Sequence, residues 1–488
     1  MYCGIDLGTS SLKVVLIDED DRLVASAARP LALKRPHPGW SEQDPAAWWS
    51  ACTAALDELK EAAPAALAAV RGIGLSGQMH GAVLLDAADR VLRPAILWND
   101  GRAMAECAAF EAACPESRRL SGNLAMPGFT APKLLWVRGH EPAVFAATRS
   151  VLLPKDHLRL HLTGEKVSEP SDAAGTLWLD VARRDWSEPL LAACGLDRAA
   201  MPRLVEGSAA SGRLRAELAA RWGMAVPPVV AGGGGDNAAS ACGVGAVGPG
   251  AAFVSLGTSG VLFVATDRFL AAPERAVHSF CHALPGVWHQ MAVILSATAS
   301  LEWLAAVCGR SVAALVADLP EAEAGAPFFL PYLSGERTPH NDSSLRGLFA
   351  GLGAEQGAGD LARAVLEGVA FALRDGRDAL AAAGTEIHDL IAVGGGARSR
   401  PWLQILADAL EREIDMPADP SAGAALGAAR LGRLAAEGAE PAAVCRPPEL
   451  RARVTPDTLG VSLADDRFRR WRRLQEAAKE LAQTPEGA

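Results

Sequence analysis

Apolar and polar positions alternate in short runs from the first residue, and the opening stretch MYCGIDLGTSSLKVVLID is interrupted only at Gly8, Thr9 and Ser10. That pattern predicts two short strands joined by a tight turn, because small residues adopt turn conformations that bulky ones resist. The pattern recurs at 252–264, AFVSLGTSGVLFV, with Leu256-Gly257-Thr258-Ser259-Gly260 between two apolar runs. Such a repeat half a chain apart predicts a duplicated unit with a ligand between the copies. In the first half, strands are expected at 23–28, 70–75, 91–97, 151–153 and 226–231, and a helix capped by Asp44, opened by Pro45 and closed before Pro64. Thr130 is expected to cap a helix opening at Pro132, Lys155 to be a solvated charge, and 171–178 to form a loop entering a strand. Gly248-Pro249-Gly250 marks the expected boundary between two lobes, 1–247 and 248–488. Beyond it come a meander over 277–294, a helix over 297–307, a loop at 334–340, a long helix from Asp360, and a strand at 391–393 that opens into Gly394-Gly395-Gly396. The small-residue stretch 421–429 is expected to be a helix packed beneath that glycine turn, and 466–482 a surface helix.

These elements place particular chemistry at their ends. Backbone N–H groups in a Gly-Thr-Ser turn can converge on an anion, the hydroxyls of Thr9, Ser10 and Ser11 add donors, and Lys13 adds a cation. Asp6 ends the first strand, and a carboxylate beside a phosphate repels it unless Mg²⁺ or its water shell stands between them. In open α/β sheets ligands gather at the C-terminal ends of strands. Gln78 and His80 are therefore candidates for contacting a polyhydroxylated substrate, with Met79 as an apolar wall. Trp98, Asn99, Asp100 and Arg102, after the next strand, combine an aromatic face with polar groups, a mixture that suits a sugar. Asp236 follows four glycines that would allow close approach of a ligand, and it also stands where a helix N-cap would.

The 488 residues, half of them apolar, exceed one core and point to about two to three domains of a soluble globular protein. A net charge of −10 argues against a nucleic-acid or anionic-membrane surface, while permitting a local positive pocket. The nine cysteines are scattered without a CxxC pair and read as reduced thiols. With no basic leader and no long apolar run, the expected location is the cytoplasm, with no membrane partner.

In their order along the chain, DLGTSSLK (6–13), GQMHG (77–81), LWNDGR (97–102), GFTAPKLLW (128–136), GGGDNAA (233–239), SLGTSG (255–260), LSGERTPH (333–340) and VGGGARS (393–399) resemble the FGGY carbohydrate kinases. The resemblance covers nearly the whole chain and is nearest to the bacterial members that act on D-xylulose. It implies an α/β fold of two actin-like ATPase (ribonuclease H-like) lobes with a nucleotide and sugar cleft between them. It also implies ATP and D-xylulose as substrates, Mg²⁺ as cofactor, and a homodimer as one open arrangement. Carried over by position, Asp236 is the implied catalytic base and Asp6 the metal-associated carboxylate, while Met79 and His80 contact the sugar together with Gln78, Trp98, Asn99, Arg102 and Asn237. Gly8, Thr9, Ser10, Lys13, Gly257, Thr258 and Ser259 are the implied phosphate-handling positions, and Gly395, Gly396 and Ala397 the adenosine-binding turn. The glycine run is one longer than the usual GGGDN, with the extra residue expected on its N-terminal side. Another sugar or polyol such as ribulose, gluconate or glycerol is the alternative substrate. A nucleotide switch of the actin or chaperone type is the alternative class, against which the sugar-facing set argues.

Overall fold

The computed structural model describes residues 1–419 and 423–482. Two seven-stranded sheets organise it. In the first, Tyr2–Leu7 runs antiparallel to Ser11–Ile17, which pairs antiparallel with Leu23–Pro30. The other edge of Tyr2–Leu7 runs parallel to Gly72–Gly77, which in turn runs parallel to Val229–Ala231. The second sheet repeats the plan. Ala251–Leu256 is antiparallel to Gly260–Thr266, that strand to Trp288–Ile294, and the free edge of Ala251–Leu256 is parallel to Asp389–Val393 and then Ile414–Pro417. The repeat seen in the two LGTS turns is thus a repeat of whole sheets.

Helices Asp236–Val244 and Ala424–Glu437 cross where the halves meet. A Cβ added to Gly427 would lie 1.7 Å from the Ala239 carbonyl oxygen, so the two backbones touch directly. Ala424–Glu437 also lies on the first sheet, where a Cβ on Gly4 would sit 1.9 Å from the Ala425 oxygen and one on Gly74 1.7 Å from that of Ala428. This corrects the expectation that 421–429 packs beneath the adenosine turn. Its small residues meet glycines in strands of the opposite lobe, and Ser421 and Ala422 fall outside the described residues.

Other expectations shift locally. Of 91–97 only Ala95–Ile96 is a strand, and 171–178 begins inside a helix, Pro170–Ala174. Thr130 starts helix Thr130–His140 without capping it. The last helix, Thr458–Ala482, is not simply a surface helix: Arg467, Phe468, Trp471 and Gln475 form a buried stripe, with the Trp471 indole N–H donating to the Phe329 carbonyl at 2.8 Å. Among the described residues no helix is long and apolar enough to cross a membrane.

Candidate active site

The register of the first sheet gathers the chemistry at one edge. Asp6 lies opposite Lys13 on one side and beside Ser76 on the other, and Gly234 and Gly235 form a short strand beside Ser76 and Gly77. Asp6, the Gln78–His80 segment and Asp236 therefore emerge from neighbouring strand ends. Asp236 is the first residue of its helix, with Gly235 as the cap. Burial, reinforced by the charge of Asp6, lifts its carboxyl to about 7. Asn237 donates its backbone N–H (2.8 Å) and side-chain amide (3.0 Å) to Asp236 Oδ1, so its donors orient the carboxylate rather than a sugar.

Burial also raises the Asp6 carboxyl, against the opposing pull of Ser76 and then Lys13, and Asp6 Oδ1 is buried with no hydrogen-bond partner. An acceptor-only oxygen without a donor fits a cation. No cluster of three or more ligating side chains occurs among the described residues. A magnesium ion is commonly held by one or two carboxylates, with substrate phosphates and water supplying the rest.

His80 adopts a left-handed backbone (φ 70°), uncommon for a residue with a side chain. Its carbonyl accepts from the Thr130 hydroxyl at 3.1 Å and from Lys133 Nζ at 2.9 Å. Its Nδ1 lies 2.6 Å from the Gly175 carbonyl, which can only accept, so Nδ1 carries the proton and Nε2 is left as an acceptor. Burial, with Lys133 nearby, lowers the imidazole to about 3 and keeps it neutral. Met79 wedges between two glycines. A Cβ on Gly235 would lie 2.9 Å from its Sδ, and one on Gly175 2.9 Å from its Cε.

Other residues assigned to the sugar from the sequence have different work. Gln78 is buried, donates to Gln43 Oε1 at 3.0 Å and accepts from the Thr9 hydroxyl at 3.0 Å, so it braces the first turn. The Trp98 indole N–H donates to Thr9 Oγ1 at 2.9 Å. Arg102 is engaged by Asp100 (2.7 Å) and Glu42 (2.8 Å) and lies 3.6 Å from the Trp40 ring centroid, a network that leaves its guanidinium no free fork for a sugar. Asn99 is exposed.

The first turn closes with the Gly8 N–H donating to the Ser11 carbonyl at 3.0 Å, and the second with Gly257 donating to Ser259 at 3.1 Å. Ser10 and Thr258 are exposed, while Thr9 and Ser259 are half-buried. Gly257 shares a cavity of about 820 Å³ with Thr298, Glu302, Gly395, Gly396 and Arg398, so the second turn and the glycine turn after Val393 face one space. Gly395 has nothing near its Cβ direction, whereas a Cβ on Gly396 would meet Trp402 at 2.7 Å. Ala397 is fully buried and packs behind the turn. Lys13 lines a different cavity of about 650 Å³, with Arg22, Leu426 and Arg430.

Lys155, expected in solvent, is fully buried. It lies 2.7 Å from Asp156, 3.4 Å from Glu169 and 3.3 Å from Asp172. Against a burial that would lower it, those carboxylates hold its ammonium above the usual range. Thr130, Lys133, Gly175 and Gln43 were not singled out as site residues. For Lys133 a signal existed: a lysine inside the apolar run APKLLW has to find a buried partner.

The chain belongs to the FGGY family of carbohydrate kinases. The family's N-terminal domain matches residues 1–243 and its C-terminal domain residues 252–436. It is 55% identical over 439 residues to the xylulose kinase of Escherichia coli K12, an alignment covering 89% of this chain and 90% of that one. A crystal structure described as a xyloylose kinase from Brucella ovis superposes with a TM-score of 0.96 at 55% identity, covering 98% of this chain and 99% of that one. The xylulose kinase of Rhodospirillum rubrum superposes with a TM-score of 0.91 at 32% identity, over 99% and 100% of the two chains. The fold is accordingly the two-lobed, actin-like α/β fold, and the protein is a carbohydrate kinase.

Proposed function

We propose that the protein transfers the γ-phosphoryl group of ATP to the C5 hydroxyl of D-xylulose, with Asp236 as the general base. The observation that carries this reading is the Asp236 carboxyl, raised to about 7 at the strand edge it shares with Asp6 and His80. A base is most effective when its pKa lies near the working pH. The xylulose kinases of similar sequence and structure support the choice of sugar.

Asp236 accepts the hydroxyl proton as the oxygen attacks the γ-phosphorus. His80 Nε2, unprotonated, accepts a hydrogen bond from a sugar hydroxyl, and Met79 supplies an apolar wall. The amides of both turns and the Lys13 ammonium neutralise charge on the phosphates, the main requirement of phosphoryl transfer. Mg²⁺, held by Asp6 directly or through water, would screen the phosphates from the carboxylates. The lobes 1–247 and 248–488 close on the two substrates and exclude water. The nine free cysteines and the use of ATP support a cytoplasmic location.

Asp236→Asn keeps the side chain's shape and loses its basicity. In a coupled ADP assay its kcat is expected to fall about 10²- to 10⁴-fold, with sugar and ATP binding retained by calorimetry. For the wild type, kcat/KM for the sugar should fall about tenfold per pH unit below about 7 and level off above it, since the ionised base is the active form. Near-normal turnover by Asp236→Asn would defeat the assignment. Equal kcat/KM for D-ribulose, gluconate or glycerol would defeat the choice of sugar.

A further inference from the structure

Asp236 and His80 stand on separate segments, yet one short element touches the support of both. Helix Pro170–Ala174 has every residue buried. At its start the Ser171 hydroxyl oxygen accepts from the Gly235 N–H at 3.1 Å, one residue before Asp236. At its end Gly175, whose N–H donates to the Asp172 carbonyl at 2.9 Å, offers its own carbonyl to His80 Nδ1 at 2.6 Å.

The helix is itself anchored. Glu169 accepts from the N–H groups of Ser171 (2.7 Å) and Asp172 (2.9 Å) and from the Ser171 hydroxyl (2.9 Å). Lys155 joins Glu169 to Asp156, and Asp156 lies 3.3 Å from the guanidinium of the fully buried Arg159. Arg159 in turn donates to the carbonyls of Ala231 (2.7 Å) and Gly232 (2.6 Å), the entry to the glycine run. Within that run a Cβ would lie 2.3 Å from the Glu206 oxygen at Gly232 and 2.2 Å from that of Leu75 at Gly233, where φ is +79°. The run is therefore wedged as well as hydrogen-bonded.

We propose that helix Pro170–Ala174 is the spacer that sets Asp236 relative to His80, and that Ser171 is the positioning residue at its Asp236 end. This rests on the reading of Asp236 as the base. Ser171 touches no reacting atom. It fixes Gly235, and a buried hydroxyl that both accepts and donates holds its orientation without a rotamer change. Gly175 does the corresponding work for the imidazole, and a Cβ there would lie 2.6 Å from His80 Nδ1.

The test compares Ser171→Ala, Gly175→Ala and Asp236→Asn in the full-length protein, with ATP and D-xylulose. Ser171→Ala is expected to lower kcat about ten- to a hundredfold, the usual consequence of a small misplacement, and to displace the acidic limb of the pH profile. Its KM for ATP should stay at the wild-type value. Gly175→Ala is expected to raise KM for the sugar while leaving that limb in place. Wild-type kcat and pH profile in Ser171→Ala would overturn the proposal, as would the same parameters changing alike in both variants. Should Asp236→Asn turn over normally, the base assignment itself fails, an outcome read from that variant alone and so separable from the Ser171 result.

Discussion

The two LGTS turns share a sequence and a backbone closure but differ in what holds them and in what stands beside them. In the first, side chains do the holding: Thr9 accepts from the Trp98 indole and donates to Gln78, while Gln43 Nε2 donates to the Thr9 carbonyl at 2.7 Å. In the second, backbone does it. The N–H groups of Ala297 and Thr298, at the start of helix Thr298–Cys308, donate to the carbonyls of Thr258 (2.8 Å) and Gly257 (2.9 Å). The positions equivalent to Asp6 and Lys13 are Ser255 and Leu262. The repeat thus has two turns of one backbone plan. Only the first carries a carboxylate and a cation, Asp6 and Lys13, and the second opens instead onto the cavity beside Gly395.

If the chemistry sits on one copy alone, equivalent substitutions should have unequal effects, and the largest difference is expected at the strand ends. Asp6→Asn removes a full charge beside the developing phosphate and should lower kcat about a hundredfold or more, with sugar affinity intact by calorimetry. Ser255→Ala, at the matching position, should leave kcat within about twofold. Comparable losses in both would mean that the copies share the catalytic work.

A middle-sized effect separates the ways the turns are held. Thr9→Val strands the Trp98 indole N–H and frees Gln78, a cost of about 1–3 kcal/mol for partners left unsatisfied in a buried network. It should lower both Tm and kcat. Thr258 is exposed and its carbonyl, not its hydroxyl, receives the helix N–H groups, so Thr258→Val should leave Tm unchanged and raise only KM for ATP. Thermal melts beside ATP titrations of the two variants decide it. A lowered Tm in Thr258→Val would show that its side chain also supports the turn.

The sequence was most legible where spacing is local. The two hairpins, the Pro45–Ala62 helix with its Asp44 cap, the long Ala358–Ala382 helix and the glycine turn after Val393 follow from turn residues, caps and periodicity within a few positions. What it hid was partnership at a distance. Nothing near Gly4 or Gly74 announces that Ala425 and Ala428 will press on them, since the partners lie in the other half of the chain. Charged residues were misjudged for the same reason. Lys155 reads as solvated until Asp156, Glu169 and Asp172 are brought around it, and Arg102 reads as sugar-facing until Glu42 and Trp40 close over it. Gln78, two residues from His80, braces the turn across the strand through the Thr9 hydroxyl.

The smallest expected effect lies on the second copy, at the glycine turn after Val393, where three adjacent glycines have different reasons to be glycine. Gly394, with φ 88°, makes the turn itself, and Gly396 is packed so that a Cβ would meet both Trp402 at 2.7 Å and the Leu256 Cβ at 2.8 Å. Gly395 has open space in its Cβ direction and lines the cavity. A methyl at Gly396 overpacks the core behind the turn and should destabilise by about 1–3 kcal/mol. A methyl at Gly395 meets no protein atom, so Gly395→Ala should leave Tm unchanged and raise KM for ATP by about twofold, the scale of a substitution at an open position. KM for D-xylulose should not move if the sugar binds at Met79 and His80. An unchanged KM for ATP would place the nucleotide away from Gly395, while a change in the sugar's KM of the same size would mean that the second copy's turn is felt at the first copy's site.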